Sequence, residues 1–265
     1  MFDLSALAVN LGVSAAVALA VLLVTFAVGV AGGKHRVVDV AWGVAFACVA
    51  AVTFVLSDGY GDPWRRALAA GLTVVWGLRL AVHIGRRGRG EPEDPRYERL
   101  LAKAPGNKDL YALRMVYLLQ GALVWFVSLP VQVASYDRSA ATPWLLAGVA
   151  VWSLGMVFES VGDAQLARFR RDPSNKGKVL DTGLWRYTRH PNYFGDACVW
   201  WGLYLLAACS SWLGAATVVA PLAMTYFLAG KTGKPLLEEH LSKRPGYAAY
   251  VRRTSGFVPW PPRRE

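Results

Sequence analysis

Cysteine and histidine are scarce in this chain, with three of the first and four of the second in 265 residues. Cys48, Cys198 and Cys209 each stand inside an apolar run, where they read as small buried hydrophobes rather than a disulfide framework. No Cys/His cluster exists, so no bound metal is expected. Acidic residues are also few, 18 against 29 Lys and Arg, which leaves a net charge of +11. A basic region at the N-terminus is missing too: the first charge is Asp3, ahead of an apolar run at 4–30 that is too long for a secretory leader. That run is expected to be a retained helix. Internal repeats and low-complexity segments are absent.

What the chain has is apolar length. Hydrophobic residues make up 54% of it, with 11 tryptophans, and several uncharged runs reach the roughly 20 residues that cross a bilayer. The expected fold is all-α: a polytopic membrane protein of about seven transmembrane helices, near residues 4–30, 37–56, 67–84, 113–134, 144–161, 194–209 and 212–229. A polar tail from Lys231 should be partly helical around 236–250. The whole chain, 1–265, reads as a single integral-membrane domain, with N-terminal helices and their polar loops in 1–112 and a C-terminal region in 113–265.

Seven spans make the polar segments alternate sides, which the positive-inside rule tests. With the N-terminus outside and the C-terminus cytoplasmic, Lys and Arg fall in the inside segments with four exceptions. Arg65, Arg66 and Arg138 fall outside, and Arg79 lies within a span. The sequence therefore places the protein in the plasma membrane as a multi-pass protein. Orientation accounts for the basic excess, and a nucleic-acid partner is not expected.

Six ionisable groups stand near span ends: Asp39, Arg79, His83, Glu159, Asp163 and Asp196. In this topology all six lie toward the cytoplasm. Charge at membrane depth is expensive and usually faces a bundle interior or a wet cavity; singly, each is equally well read as a helix-end residue at the headgroups. Their common side points to one polar cavity open to the cytoplasm. Asp39 and His83 would form an acid/base pair if their helices adjoin, although a lone membrane histidine more often satisfies a neighbour by hydrogen bonding.

The stretch 163–202 carries the densest chemistry. Arg189-His190-Pro191-Asn192-Tyr193 has the grammar of a helix start, with Pro191 at the first helical position, where its missing N–H costs nothing. The unpaired N–H groups of such a first turn favour an anion. Arg168, Arg170, Arg171, Lys176, Lys178, Arg186 and Arg189 gather on the same side. Asn192 and Asp196 share a helix face, with Tyr193 three residues before Asp196. This face suits a sugar hydroxyl or an amide, although such spacing is more often a capping arrangement with interfacial aromatics.

Other stretches say less. Gly85-Arg86-Arg87-Gly88-Arg89-Gly90 has the wrong glycine spacing for a dinucleotide fingerprint and no strand before it, and reads as a basic loop. The charged run 91–99 reads as solvated surface, although Arg96 and Tyr97 are able to close over a ligand. In the tail, Glu238, Glu239, His240 and Arg244 either cap the cavity or belong to an amphipathic surface helix on anionic lipid.

The run GLWRYTRHPNYFGD, the tail KTGKPLLEEH and the ending GFVPWPP, with the earlier DVAWG (39–43) and WGLRLAVHIGRRG (76–88), cover nearly the whole chain. As a set they resemble a bacterial membrane family grouped with the C-terminal domain of steroid 5α-reductases. The resemblance implies seven helices, NADPH entering from the cytoplasmic side and a lipid-soluble enone or sterol-like substrate entering from the bilayer. Carried over by position, it implies cofactor contacts at Asp163, Arg170, Asn192, Tyr193 and Asp196, and in the tail at Glu239, His240 and Arg244.

The chain departs from the reductases where their substrate is polarised. They use a Gln-Glu pair in the second-helix region and a tyrosine in the third. Here those regions offer Asp39 with Trp42, and Trp76, Arg79 and His83, with no tyrosine between Gly71 and Ile84. The expected proton source is then Asp39 or His83. The sequence is also similar to membrane methyltransferases of the isoprenylcysteine carboxyl type, at Arg189-His190-Pro191-Asn192-Tyr193-Phe194-Gly195 and at Glu238-Glu239. That likeness implies S-adenosylmethionine as the alternative cofactor. A non-catalytic membrane protein is the third class; transport fits poorly, since transport sites usually lie near the midplane.

Overall fold

The computed structural model describes residues 2–139, 143–208, 211–231 and 233–263, with the side chains of Leu236 and His240 left out. Cys209 lies outside the described residues. The described chain is helical: α1 Leu4–Gly32, α2 Val37–Leu56, α3 Pro63–Gly88, α4 Pro95–Leu101, α5 Lys108–Ala134, α6 Pro143–Arg171, α7 Pro191–Ala208, α8 Trp212–Lys231, α9 Lys234–Leu241 and α10 Tyr247–Arg253. Six of these (α1, α2, α3, α5, α6 and α8) are long and apolar enough to cross a membrane. The protein is a multi-pass membrane protein. The remaining stretch expected to span, at 194–209, forms most of α7, whose 18 residues, with Asn192 and Asp196 in the first two turns, are less apolar than the best 18-residue stretch of each of the six.

Short polar signals set the helix ends. Asp3, Asp62, Asp94 and Asn107 each accept a hydrogen bond from a backbone N–H of the first turn that follows, and prolines fill the first positions of α3 and α4. Gly33 closes α1 at φ 64°, a left-handed conformation that suits glycine. Helix α3 continues past residue 84 to Gly88, because Arg86 and Arg87 in its last turn favour the negative end of the helix dipole. The tail breaks into α9 and α10 at Pro245-Gly246, where Gly246 takes φ 80°.

The chain divides into two compact units, Met1–Leu145 with Leu206–Ala220, and Leu146–Leu205 with Pro221–Glu265. In the first unit α2 and α3 meet backbone to backbone: a Cβ on Gly43 would stand 2.2 Å from the Gly77 carbonyl oxygen. Polar side chains cross the apolar interior in pairs. Asn10 Nδ2 donates to Gln132 Oε1 (3.2 Å), and the hydroxyls of Ser14 and Thr53 lie 3.3 Å apart. Where the helix hairpin turns, Arg65 and Asp137 form a buried ion pair at 2.8 Å, and Arg66 donates to the Phe54 carbonyl at 2.7 Å.

In the second unit glycines again set the spacing. Gly195 and Gly202 of α7 lie against the α6 backbone, with 2.5 Å from a Cβ on either one to the nitrogen of Glu159 or Trp152. Helix pairs in lipid gain from such close approach because apolar burial no longer drives their association. It brings the C-terminal half of α6 alongside the first turn of α7.

Candidate functional site

The first turn of α7 is held by the tail of the chain. Thr188 and Ser255 form a β-bridge, the Arg189 N–H donates to the Ser255 carbonyl (2.9 Å), and Thr188 Oγ1 donates to the Phe257 carbonyl (2.7 Å). From this fixed backbone the Arg189 side chain turns inward. Its Nε donates to Glu238 Oε1 at 2.8 Å, and its Nη1 donates to the carbonyls of Thr254 (2.6 Å) and Val251 (3.2 Å). His190 Nε2 lies 3.2 Å from the same Glu238 oxygen, and the His190 ring stacks on Tyr193 at 5.5 Å.

One carboxylate of α9 thus receives two donors from the residues that open α7. Burial tends to raise the Glu238 pKa, but the hydrogen bonds from His190 and Arg189 and the Arg189 charge outweigh it and hold the carboxyl down at about 2. Burial lowers the His190 pKa below the ordinary histidine value, against the opposing pull of Glu238. The imidazole is therefore neutral at pH 7, its Nε2–H directed at Glu238. Nearby, burial foremost, with the Glu238 charge behind it, pushes the Tyr247 phenol up to about 12.

On the α6 side, Asn192 Nδ2 donates to Asp163 Oδ1 at 3.2 Å, so these two expected contacts meet. Asp163 and Glu159 are both buried. Tyr193 and Asp196 follow on the first turns of α7, both half-buried. Arg170 is exposed on the last turn of α6. Arg244 donates to the Lys178 carbonyl at 3.1 Å, and Glu239 is exposed on α9. The His240 side chain lies outside the described residues. The second unit thus collects amide, carboxylate, imidazole and guanidinium around one helix start.

A family model described as a protein of unknown function, DUF1295, matches residues 25–254. The chain belongs to the DUF1295 family. This DUF1295 protein is 32% identical to the probable O-methyltransferase ustE of Ustilaginoidea virens over 110 residues, 42% of the chain and 37% of that protein. It is 26% identical to an uncharacterized protein of Schizosaccharomyces pombe over 76% of the chain and 65% of that protein. It is 34% identical to mouse 3-oxo-5-alpha-steroid 4-dehydrogenase 1 over 31% of each. The chain spans less than two thirds of the length of each of these relatives. No solved structure matches it. The DUF1295 chain is thus related both to steroid 5α-reductases and to a methyltransferase-like protein, the grouping its motifs resemble.

The first unit of this DUF1295 protein carries the other expected pair. Asp39, in the first turn of α2, is gripped from α4: Tyr97 donates to its Oδ1 at 2.6 Å and Arg96 Nη2 to its Oδ2 at 2.7 Å. The run 91–99, read as solvated surface, instead folds over the start of α2. The Glu93 carboxylate accepts the His35 N–H and, at 3.0 Å, the Arg36 N–H. Burial first, and then the Asp39 charge, raises the Tyr97 pKa, so the phenol stays protonated as donor. His83 lies half-buried on α3, whose Gly85 approaches Val40 of α2, so the helices of Asp39 and His83 adjoin.

Sequence reasoning offered Glu238 among the tail residues able to cap the cavity and Tyr97 as able to close over a ligand, but gave neither residue its partner, and the member of the Glu-Glu pair carried into the site, Glu239, is the exposed one. Tyr97 lies 58 positions from Asp39, beyond the reach of any local spacing.

Proposed function

We propose that the protein is a reductase of the steroid 5α-reductase type, which uses NADPH to saturate a C=C bond of a lipid-soluble enone or sterol-like substrate. We place it in the plasma membrane with its active site facing the cytoplasm, the side to which the positive-inside count assigns the start of α7. The observation that carries this reading is the Asn192–Asp163 pair beside Arg189, His190 and Glu238. The likeness to the steroid dehydrogenases adds support.

The donor set suits a dinucleotide. Guanidinium groups bind phosphate oxygens, and an amide paired with a carboxylate binds hydroxyls and carboxamides. Asp163, Arg170, Asn192, Tyr193, Asp196, Glu239, His240 and Arg244 would hold the cofactor, which supplies a hydride when bound. The proton that completes reduction of the double bond is assigned to Asp39 or His83. Tyr97 and Arg96 fix the orientation of the Asp39 side chain, each as a donor to it.

A second reading rests on the 32% identity to the probable O-methyltransferase. In it, the same α7 start receives S-adenosylmethionine. A thermal-shift titration of detergent-purified protein with NADPH, NADH and S-adenosylmethionine separates the two, since a ligand bound to the native state raises the midpoint by mass action. A rise with NADPH is the expected result. A rise with S-adenosylmethionine alone makes the protein a methyltransferase, and no rise with any of the three removes the support for either enzyme.

A further inference from the structure

The C-terminal segment of the second unit, together with Arg189, lines a cleft of about 320 Å³. Four arginines line it, Arg189, Arg252, Arg253 and Arg263, and no acidic residue does among those described. Two of the four are neutralised from outside the cleft: Arg189 by Glu238 and Arg253 by Asp181. Arg252 and Arg263 are exposed, and neither side chain has an acidic partner among the described residues. Among the four arginines, two positive charges therefore remain.

The floor of the cleft is shaped to let cations approach bare backbone. A Cβ on Gly256 would stand 2.7 Å from Lys234 Nζ and 3.2 Å from Arg189 Nη2, so any larger residue displaces both. Arg189 itself is nine-tenths buried and held by two carbonyls, so its guanidinium is a fixed wall rather than a mobile surface group. Trp260 stands exposed at the rim. The volume is at the lower end of ligand sites, about 300–1,000 Å³, which suits a head group and not a whole dinucleotide.

We propose that this cleft binds a phosphate monoester, a dianion whose charge matches Arg252 and Arg263 and whose three terminal oxygens suit guanidinium forks. Two sources carry that chemistry: the 2′-phosphate that distinguishes NADPH from NADH, and the headgroup of a phosphatidate-type lipid. The first source rests on the reductase reading; the second is independent of it.

The test compares wild type with Arg252→Ala/Arg263→Ala, whose changed side chains make no ion pair within the described fold. Binding of NADPH and NADH is measured in neutral detergent, and binding to nanodiscs with and without phosphatidate in a phosphatidylcholine background. A dinucleotide source predicts that the double variant loses about tenfold in NADPH affinity and none in NADH affinity. A lipid source predicts loss of the phosphatidate preference with dinucleotide binding untouched or absent; absence would sink the reductase reading and leave the cleft assignment standing. Arg86→Ala/Arg87→Ala, basic residues at the end of α3, should leave either preference intact. The proposal is overturned if the Arg252/Arg263 variant keeps both preferences, if wild type has neither, or if the Arg86/Arg87 variant loses the phosphatidate preference equally.

Discussion

Arg189 Nε donates to Glu238 Oε1 across 2.8 Å, and this contact ties the segment that opens α7 to helix α9, 49 positions later in the chain. The ion pair is largely shielded, with the Arg189 side chain 9% and the Glu238 side chain 22% exposed. Because His190 shares the same oxygen, the carboxylate organises two donors at once.

Removing that carboxylate leaves a buried guanidinium partly uncompensated. Breaking a fully buried pair costs about 3–5 kcal/mol. Glu238 keeps 22% of its side chain exposed, so Glu238→Gln should cost about 2 kcal/mol, since water screens part of the interaction. Reversible unfolding in mixed micelles measures it. A loss below about 0.5 kcal/mol, the scale of an ordinary surface substitution, would count against the latch.

The same cluster sets a pH dependence. The folded pKa of Glu238 lies at about 2, below the unfolded value of 4.5, so its contribution is present above 4.5 and lost as pH falls toward 2. His190 is also depressed, from 6.5. The unfolded chain takes up that proton first, so stability begins to fall as pH drops through 6.5. Both effects have the same sign, and a melting-temperature profile should decline from near pH 6.5 downward. Glu238→Gln should flatten its acid limb; an unchanged limb would refute the assignment.

Helix spacing predicts a contrast between two glycines. A Cβ on Gly195 meets the Glu159 nitrogen and the Gly155 carbonyl oxygen at 2.5 Å, whereas one on Gly71 meets nothing within 4 Å. Gly195→Ala should destabilise by about 1–3 kcal/mol through overpacking. Gly71→Ala, in the interior of α3, should be neutral or stabilising by up to about 1 kcal/mol. Equal effects from the two would mean that the α6–α7 approach is looser than the backbone geometry requires.

Tyr97→Phe removes the hydrogen bond that joins α4 to Asp39 and leaves the ring in place. It should loosen the 91–99 segment from the start of α2 and raise its rate of proteolytic cleavage relative to wild type. Cleavage unchanged from wild type would show that Arg96 and Glu93 suffice.

Much of the fold was legible because membrane helices announce themselves locally. Apolar length gave α1, α2, α3, α5, α6 and α8; the helix starts at Asp62-Pro63, Asp94-Pro95 and Asn107 were not read from the sequence, although each is capped by its own residues. The start of α7 was legible, from Pro191. Pairings across the sequence were not. Glu238 with Arg189, Asp39 with Tyr97, and Gly43 against Gly77 each join residues on different helices or turns. Composition carries no record of such partners. The α7 residues also show why a span count is harder than a span list: Asn192 and Asp196, both near its start, lower the hydropathy of a helix that is otherwise apolar.

The most direct measurement is the NADPH affinity of Asn192→Ala against wild type, by equilibrium dialysis in detergent with the melting temperature recorded alongside. Asn192 pairs with Asp163 at the centre of the carried-over site, so losing its amide should weaken NADPH binding about tenfold and lower the melting temperature without unfolding the protein. Unchanged affinity in a folded variant would contradict the assignment of the α7 start as the cofactor site.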